Sequence, residues 1–486
     1  MKPLQLAAVC LLLGPQPLTQ SAEASGRRGF ENRLTRAVAI AGRENERFRL
    51  EDRMVHYRVP GVSVAVIENC RIVDARGFGS AAPSAGSTVT PRTLFQAGSI
   101  SKTFTAVASL RLVEQGKLSL DGDVRQVLTS WNLPDSPLMQ RRPVTLRGLL
   151  NHTAGINQEG GNGYLRTAAL PTLADILEGR PPANTAPIRV ESAPGERWRY
   201  SGGGYYIAQA LMRDATGTDY PQLMKRLVFE PLRLRDSTFA QPLDDRRIPS
   251  AARAAGPDGS ALDGGWRVNP ELAAGGLWTT PGDVAHLSIG IALAARGERG
   301  GIVSPATARE LMVRGLGNWG LGVDLSPASG PRRFGHTGHT VGFSSAYVMY
   351  PDSCQGAVVM TNADQGGWLV SEILRAIGDT YGWPGRTPPP VQAAIPLTPA
   401  IEERFVGTYR LRDFPDERFS ITRRAGGLYW ARAGHVGREL LPESDGRLFS
   451  PDSRMSLEAT DPGAVKASTL SLSFGGGTNV AERIGA

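Results

Sequence analysis

Apolar residues change period several times along this chain, and each change marks an element. After the break at Pro60-Gly61, Val62, Val64 and Val66 alternate with smaller residues, which predicts a strand. Asn69-Cys70-Arg71 is a turn, and Ile72 to Phe78 is the returning strand of a hairpin. Upstream, residues 28–58 are polar with recurring apolar positions and predict an amphipathic helix. After a Gly/Ser/Pro loop over 79–91, Ala106, Val107, Leu110 and Val113 recur at spacings of three and four, so a helix runs to about Gln115-Gly116. From Gly116 to about Asp283 the pattern is mainly helical, cut by many Gly and Pro. It includes a short helix over Leu146 to Leu150, one starting near Tyr205, and one after Thr280, a suitable N-cap with Pro281 in the first helical position. Phe343 to Met349 and Ala357 to Thr361 read as strands on either side of Pro351-Asp352. Residues 384–396 are a Pro-rich linker. Beyond it, Phe419 and Ile421, Leu428 to Trp430, and Leu470, Leu472 and Phe474 alternate, with hairpin signals at Gly426-Gly427 and Asp445-Gly446.

Length turns this pattern into two folded units, because 486 residues exceed one ordinary core. The first spans 25–383 and the second, a small all-β unit, 397–486. Residues 1–24 read as a secretory signal: Lys2 starts it, Leu6 to Leu13 is its apolar core, and Ala22-Glu23-Ala24 is a small-x-small cleavage site. The mature chain is therefore expected outside the cytoplasm, periplasmic or secreted, with no later stretch apolar enough to span a bilayer. Lys2 and Glu23 cancel, so the mature chain keeps the formal charge of +8. No Lys/Arg block or aromatic-basic stripe accompanies that charge, and nothing in the pattern supports nucleic-acid binding. Losing the leader leaves Cys70 and Cys354, neither near a CxxC or metal-ligand spacing. Two cysteines in a secreted chain are able to form one disulfide.

The chemistry centres on Ser99-Ile100-Ser101-Lys102, at the start of the helical pattern. Residues i and i+3 share a helix face, so a hydroxyl and an amine are held within reach. Serine is a weak nucleophile until a base takes its proton, and lysine is such a base only when its pKa falls far below about 10.4. The plain alternative is a lysine on a solvated face. Against it, basic residues here are nearly all arginine: after the leader the lysines are Lys102, Lys117, Lys225 and Lys466. Arginine cannot deprotonate in a protein, and lysine can. Three further stretches carry candidate groups. His152, in Asn151-His152-Thr153-Ala154-Gly155, reads as a local hydrogen-bonding residue or as a base. Tyr200 stands before Gly202, Gly203 and Gly204, as a core aromatic or as a functional phenol. His336 and His339 lie three apart in a strand pattern, which points them to opposite faces and suits no shared metal ion.

Taken in order, Ser99-Ile100-Ser101-Lys102, Tyr200-Ser201-Gly202 and His336-Thr337-Gly338 resemble the motifs of the serine β-lactamase and penicillin-binding-protein superfamily. The resemblance is greatest to its class C-like branch, which also holds D-aminopeptidases, D,D-peptidases and esterases. Val59 to Ala65, Leu149 to Gly155 and Gly276 to Asp283 extend it over about residues 45–380, and the C-terminal unit resembles a lipocalin-like β domain. The implied fold is α+β: an antiparallel sheet flanked by helices plus an all-helical region, followed by a small all-β domain. The resemblance implies Ser99 as nucleophile, with Lys102 and Tyr200 sharing the acid/base work. It implies an oxyanion hole from the backbone N–H groups of Ser99 and His339. His336, Thr337, Gly338 and Gly202 would bind substrate, with no metal and no cofactor. It also places Cys70 and Cys354 on hairpin tips at the same end of adjacent strands, which implies a Cys70–Cys354 disulfide.

Two departures from the family pattern bear on substrate. Gly202 stands where asparagine is common, and His336 where β-lactamases often have lysine. Histidine is only partly charged near neutral pH, so it attracts a substrate carboxylate less than lysine would. The sequence reading is therefore an exported serine hydrolase cleaving a peptide, D-amino-acid or ester bond, with a small molecule or peptide as its partner. A class C β-lactamase, or a catalytically silent cell-wall or ligand-binding protein on the same fold, stands as the alternative. A separate α/β-hydrolase reading lacks a G-x-S-x-G elbow.

Overall fold

The computed structural model describes residues 29–82, 86–424, 426–475 and 477–485. The leader expected over 1–24 lies outside them. The larger unit is built on α1 (Leu50–Tyr57), β1 (Gly61–Glu68), β2 (Arg71–Gly79), α2 (Ser101–Glu114), α3 (Gly202–Thr216), α4 (Pro281–Arg296), β3 (Asp324–Leu325), β4 (Phe334–Thr340), β5 (Phe343–Tyr350), β6 (Gln355–Thr361) and α5 (Gly366–Thr380). Its strands form one antiparallel sheet of six in the order β2-β1-β6-β5-β4-β3.

Alternation along β1 has a purpose on both faces. Val62, Val64 and Val66 pack with Leu369, Ile373 and Ile377 of α5. Ala65 and Ile67 join the larger core on the other side, which holds Val284, Leu287 and Ile291 of α4. The first and last long strands, β1 and β6, are neighbours, so the turns at Cys70 and Cys354 meet. These two cysteines form a disulfide with a Cα separation of 5.0 Å, within the reach of such a bond.

Residues 29–58 do not form the long amphipathic helix that the pattern over 28–58 predicts. Phe30–Asn32 is a single 3-10 turn, Ala39–Ile40 a short strand, and only Leu50–Tyr57 is helical. The apolar positions are buried by separate tertiary partners: Phe30 meets Phe78 edge-on at 6.3 Å, and Leu34 pairs with Phe48. The Pro-rich stretch is likewise tied down, since Val391–Gln392 pairs in parallel with Ala39–Ile40.

Strands β7 (Gly407–Leu411), β8 (Arg418–Arg424), β9 (Gly427–Arg432), β10 (Arg438–Ser444), β11 (Arg447–Phe449), β12 (Ser456–Ala459), β13 (Thr469–Phe474) and β14 (Gly477–Gly485) close into an antiparallel barrel. Its interior is filled by Tyr409, Phe419, Ile421, Leu428, Leu440, Leu457 and Leu470, the inward positions of the alternating pattern. A buried ionic network seats the barrel on the sheet's α1/α5 layer. Arg53 of α1 donates from Nη2 to Glu372 Oε1 of α5 at 2.6 Å and to Asp452 Oδ1 of the barrel at 2.7 Å. His56 Nε2 stands 2.7 Å from Asp452 Oδ2. Burial opposes the Asp452 charge, yet His56 and Arg53 hold its carboxyl well below the usual range.

Candidate active site

Gly98–Ile100 is a 3-10 turn that runs directly into α2, so Ser99 lies in the turn and Lys102 in the first turn of the helix. Lys102 Nζ is 3.0 Å from Ser99 Oγ and donates to the Ala274 carbonyl at 2.8 Å. Every residue of α2 from Ser101 to Leu110 is buried. Lys102 is therefore not on a solvated face: it is 2 % exposed, and burial lowers its pKa to about 7.

Tyr200 precedes α3 and comes to the same point. Its ring lies 5.0 Å from Lys102 Nζ, and its phenol is near enough to Ser99 to be influenced by that hydroxyl. Burial pushes the phenol pKa up and outweighs the opposing influence of Ser99, so the phenol is protonated at neutral pH. Ser201 caps α3 by accepting from the Gly204 N–H at 3.0 Å, which starts the helix at Gly202 rather than near Tyr205. Gly202 is buried. A Cβ there would stand 2.6 Å from the Glu159 carbonyl, so backbone occupies the space an asparagine side chain would need.

The far wall is β4, whose approach to the Ser99 turn depends on two glycines. Gly98 has φ +52°, and a Cβ on it would come within 2.6 Å of His339 N. A Cβ on Gly338 would collide with the Ala97 carbonyl. The β4–β5 turn, Val341-Gly342, makes Thr340 and Phe343 the closing pair. Hydrogen-bonded pairs alternate in an antiparallel ladder, so the His339–Ser344 pair is a non-bonded one and the His339 N–H points away from β5. The Ser99 and His339 amides thus sit on adjoining backbone at the same corner.

His336 and His339 do point to opposite faces: His336 is 3 % exposed, while the His339 side chain is 59 % exposed. His336 packs 5.3 Å from Trp319 and 6.4 Å from Tyr200, ring centre to ring centre. Burial first, then the Lys102 charge, lowers its pKa to about 3, so it is neutral across the physiological range. Thr337 is exposed and shares with His339 a cavity lined by Asp364, Gln365 and Trp368, so its side chain is not brought to Ser99 with His336. Among the described residues no group of three His, Cys, Asp or Glu is arranged to hold a metal ion.

His152 takes a supporting place. Its Nδ1 accepts the Ser201 N–H at 3.1 Å, and its ring lies 4.4 Å from that of Tyr200. Burial first, then the Lys102 charge, drives its pKa well below the ordinary value. Sequence reading missed Trp319, which stands 5.1 Å from His152 and 5.8 Å from Tyr200. It lies in the glycine-rich stretch Gly315 to Gly322, where no periodic signal exists. Trp198 joins it at 5.6 Å and was signalled only by standing two residues before Tyr200.

A hydroxyl set against an amine that titrates near neutrality, with a protonated phenol beside both, is equipped for acyl transfer. Fold and site together define a serine hydrolase. The family profile described as Beta-lactamase matches residues 48–381, and the chain belongs to that family. Penicillin-binding protein 4* of Bacillus subtilis (strain 168) is 26% identical over 80% of this chain and 87% of its own length. The D-alanyl-D-alanine-carboxypeptidase/endopeptidase AmpH of Escherichia coli (strain K12) is 26% identical over 46% of this chain and 55% of its own. Among solved structures, the octameric penicillin-binding protein homologue from Pyrococcus abyssi superposes with a TM-score of 0.58 at 22% identity, over 89% of this chain and 98% of that one. No helix among the described residues is long and apolar enough to cross a membrane.

Proposed function

We propose that the protein is an exported acyl hydrolase working through an acyl-enzyme on Ser99. Lys102 Nζ takes the Ser99 proton as Oγ attacks the substrate carbonyl. The carbonyl oxygen becomes an oxyanion facing the Ser99 and His339 N–H groups. Tyr200 passes its proton to the leaving amine or alkoxide and is reprotonated by the one Lys102 took from Ser99, and water then hydrolyses the ester on Ser99. The observation that carries this reading is the 3.0 Å separation of Lys102 Nζ and Ser99 Oγ at a site whose burial brings the amine to about 7. Residues 1–24 would direct export, and 25–383 and 397–486 would be the hydrolase and barrel domains.

The substrate class we favour is a peptide, D-amino-acid derivative or ester. A neutral His336 offers no charge to a substrate carboxylate, and the Glu159 backbone leaves no room for an asparagine side chain at position 202. A carboxypeptidase name among the relatives agrees with this choice. The test is reaction of the purified protein with a fluorophosphonate probe beside Ser99→Ala. Labelling of wild type alone is expected; a folded wild type left unlabelled would support the silent binding-protein reading instead. A chromogenic cephalosporin turned over much faster than a p-nitrophenyl ester and a D-alanyl peptide would overturn the substrate assignment.

A further inference from the structure

Where the barrel mouth opens onto α5 there is a cavity of about 280 Å³, near the lower end of ligand sites at roughly 300 Å³. Gln365 and Trp368 contribute its wall from the α5 side, and Phe419, Trp430 and Phe474 from the barrel. Arg438 of β10 lines the same cavity although it is only 6 % exposed. Its Nη2 donates to Gln365 Oε1 at 2.8 Å, and its guanidinium lies 4.1 Å from the centre of the Trp368 ring.

Among the described residues Arg438 has no carboxylate partner. The neighbouring Glu372 and Asp452 are both engaged by Arg53, at 2.6 and 2.7 Å. At the rim, Glu417 is paired with Arg432 at 3.3 Å. A guanidinium has five donors and loses much of its hydration when buried, so a buried one normally meets an anion. Burial lowers the Arg438 pKa to about 10, outweighing the smaller opposing influence of Tyr57, Asp452 and Glu372.

We propose that this cavity binds a small amphipathic carboxylate, its carboxylate on Arg438 and its apolar body among Trp368, Phe419 and Phe474. The planar guanidinium fork matches a carboxylate, which an ammonium or a neutral ligand would not exploit. The aromatic walls bury an apolar body that a bare inorganic anion lacks. The site is formed by both units and is separate from the chemistry at Ser99.

The test is titration of the full chain with 3-phenylpropionate, followed by calorimetry and by quenching of tryptophan fluorescence. One saturable site is expected, unchanged when Ser99 is first blocked with a fluorophosphonate. Binding should weaken by about tenfold or more for 3-phenylpropan-1-ol, and likewise for Arg438→Gln, the loss expected for one charge-assisted contact. No binding by wild type, equal binding of the alcohol, or loss of binding on blocking Ser99 would each overturn the proposal. Leu411→Trp, which fills the cavity from its wall and leaves Arg438 in place, is the second variant. If Arg438→Gln does not fold, weakened binding by Leu411→Trp supports the site, and undiminished binding overturns it.

Discussion

At Lys102, removal from water disfavours the ammonium and brings the amine to about 7. Below that value the amine keeps its proton and cannot accept that of Ser99. Activity should therefore rise with pH: kcat/KM for a p-nitrophenyl ester should fall about tenfold per unit below about pH 6 and level off above about pH 8. A flat profile across that range would remove Lys102 as the base. Lys102→Arg keeps the charge but has no basic form, and should lose roughly 10²–10⁴ in kcat. Gly202 sets a different limit. Gly202→Asn restores a residue common in the family motif, yet its Cβ meets the Glu159 carbonyl at 2.6 Å. The expected result is a fold destabilised by about 1–3 kcal/mol, read from denaturant unfolding, with no gain in cephalosporin turnover. Scarcity of lysine made Lys102 legible in the sequence, because an arginine-rich chain has no need of lysine for a solvated face. Trp319 was illegible, since its ring enters the site from a loop without period.

Elements bring these residues together through close backbone approach. The Gly98–Ile100 turn and the first turn of α2 carry Ser99 and Lys102 as one local unit, and this is why a three-residue spacing was informative. Strand β4 joins them only because Gly98 and Gly338 have no Cβ to hold the segments apart. The predicted helix over 28–58 failed for a related reason: its apolar residues bury against different partners, so their spacing reports no single face. Between β1–β2 and β5–β6, the Cys70–Cys354 disulfide closes residues 284 apart in sequence. Constraint of so long a loop in the unfolded chain should contribute about 2–4 kcal/mol. Reductant should lower the unfolding free energy of wild type, read from denaturant unfolding, by that amount and leave a Cys70→Ala/Cys354→Ala variant unaffected. An equal response of both would assign the effect elsewhere.

For the molecule as a whole, the decisive contact is Arg53 between Glu372 and Asp452, which couples the sheet layer to the barrel. Removing one member of a buried ionic group leaves the others uncompensated, so Asp452→Asn should cost about 3–5 kcal/mol. Earlier proteolytic cleavage within 384–396 would show the barrel loosening; unchanged protection would mean that apolar packing alone seats it. The pH dependence follows from the depressed Asp452 value. A carboxyl held lower in the folded state than its free value of about 3.9 gives its full stabilisation above that value. The stabilisation is lost as pH falls through the folded value, so barrel docking should persist through mildly acidic conditions and weaken only in strong acid.

Local order along the chain specifies the period-two strands, the helix capped at Thr280, the all-β alternation of the C-terminal unit and the serine–lysine pair, because each depends on neighbours within a few residues. What surrounds that pair comes from the folded arrangement of distant segments. Burial set the Lys102 and His336 proton affinities, the Glu159 backbone occupied the space beside Gly202, and Trp319 closed the aromatic wall. Solvation and steric exclusion are properties of groups brought together from distant parts of the chain, and no local pattern encodes them.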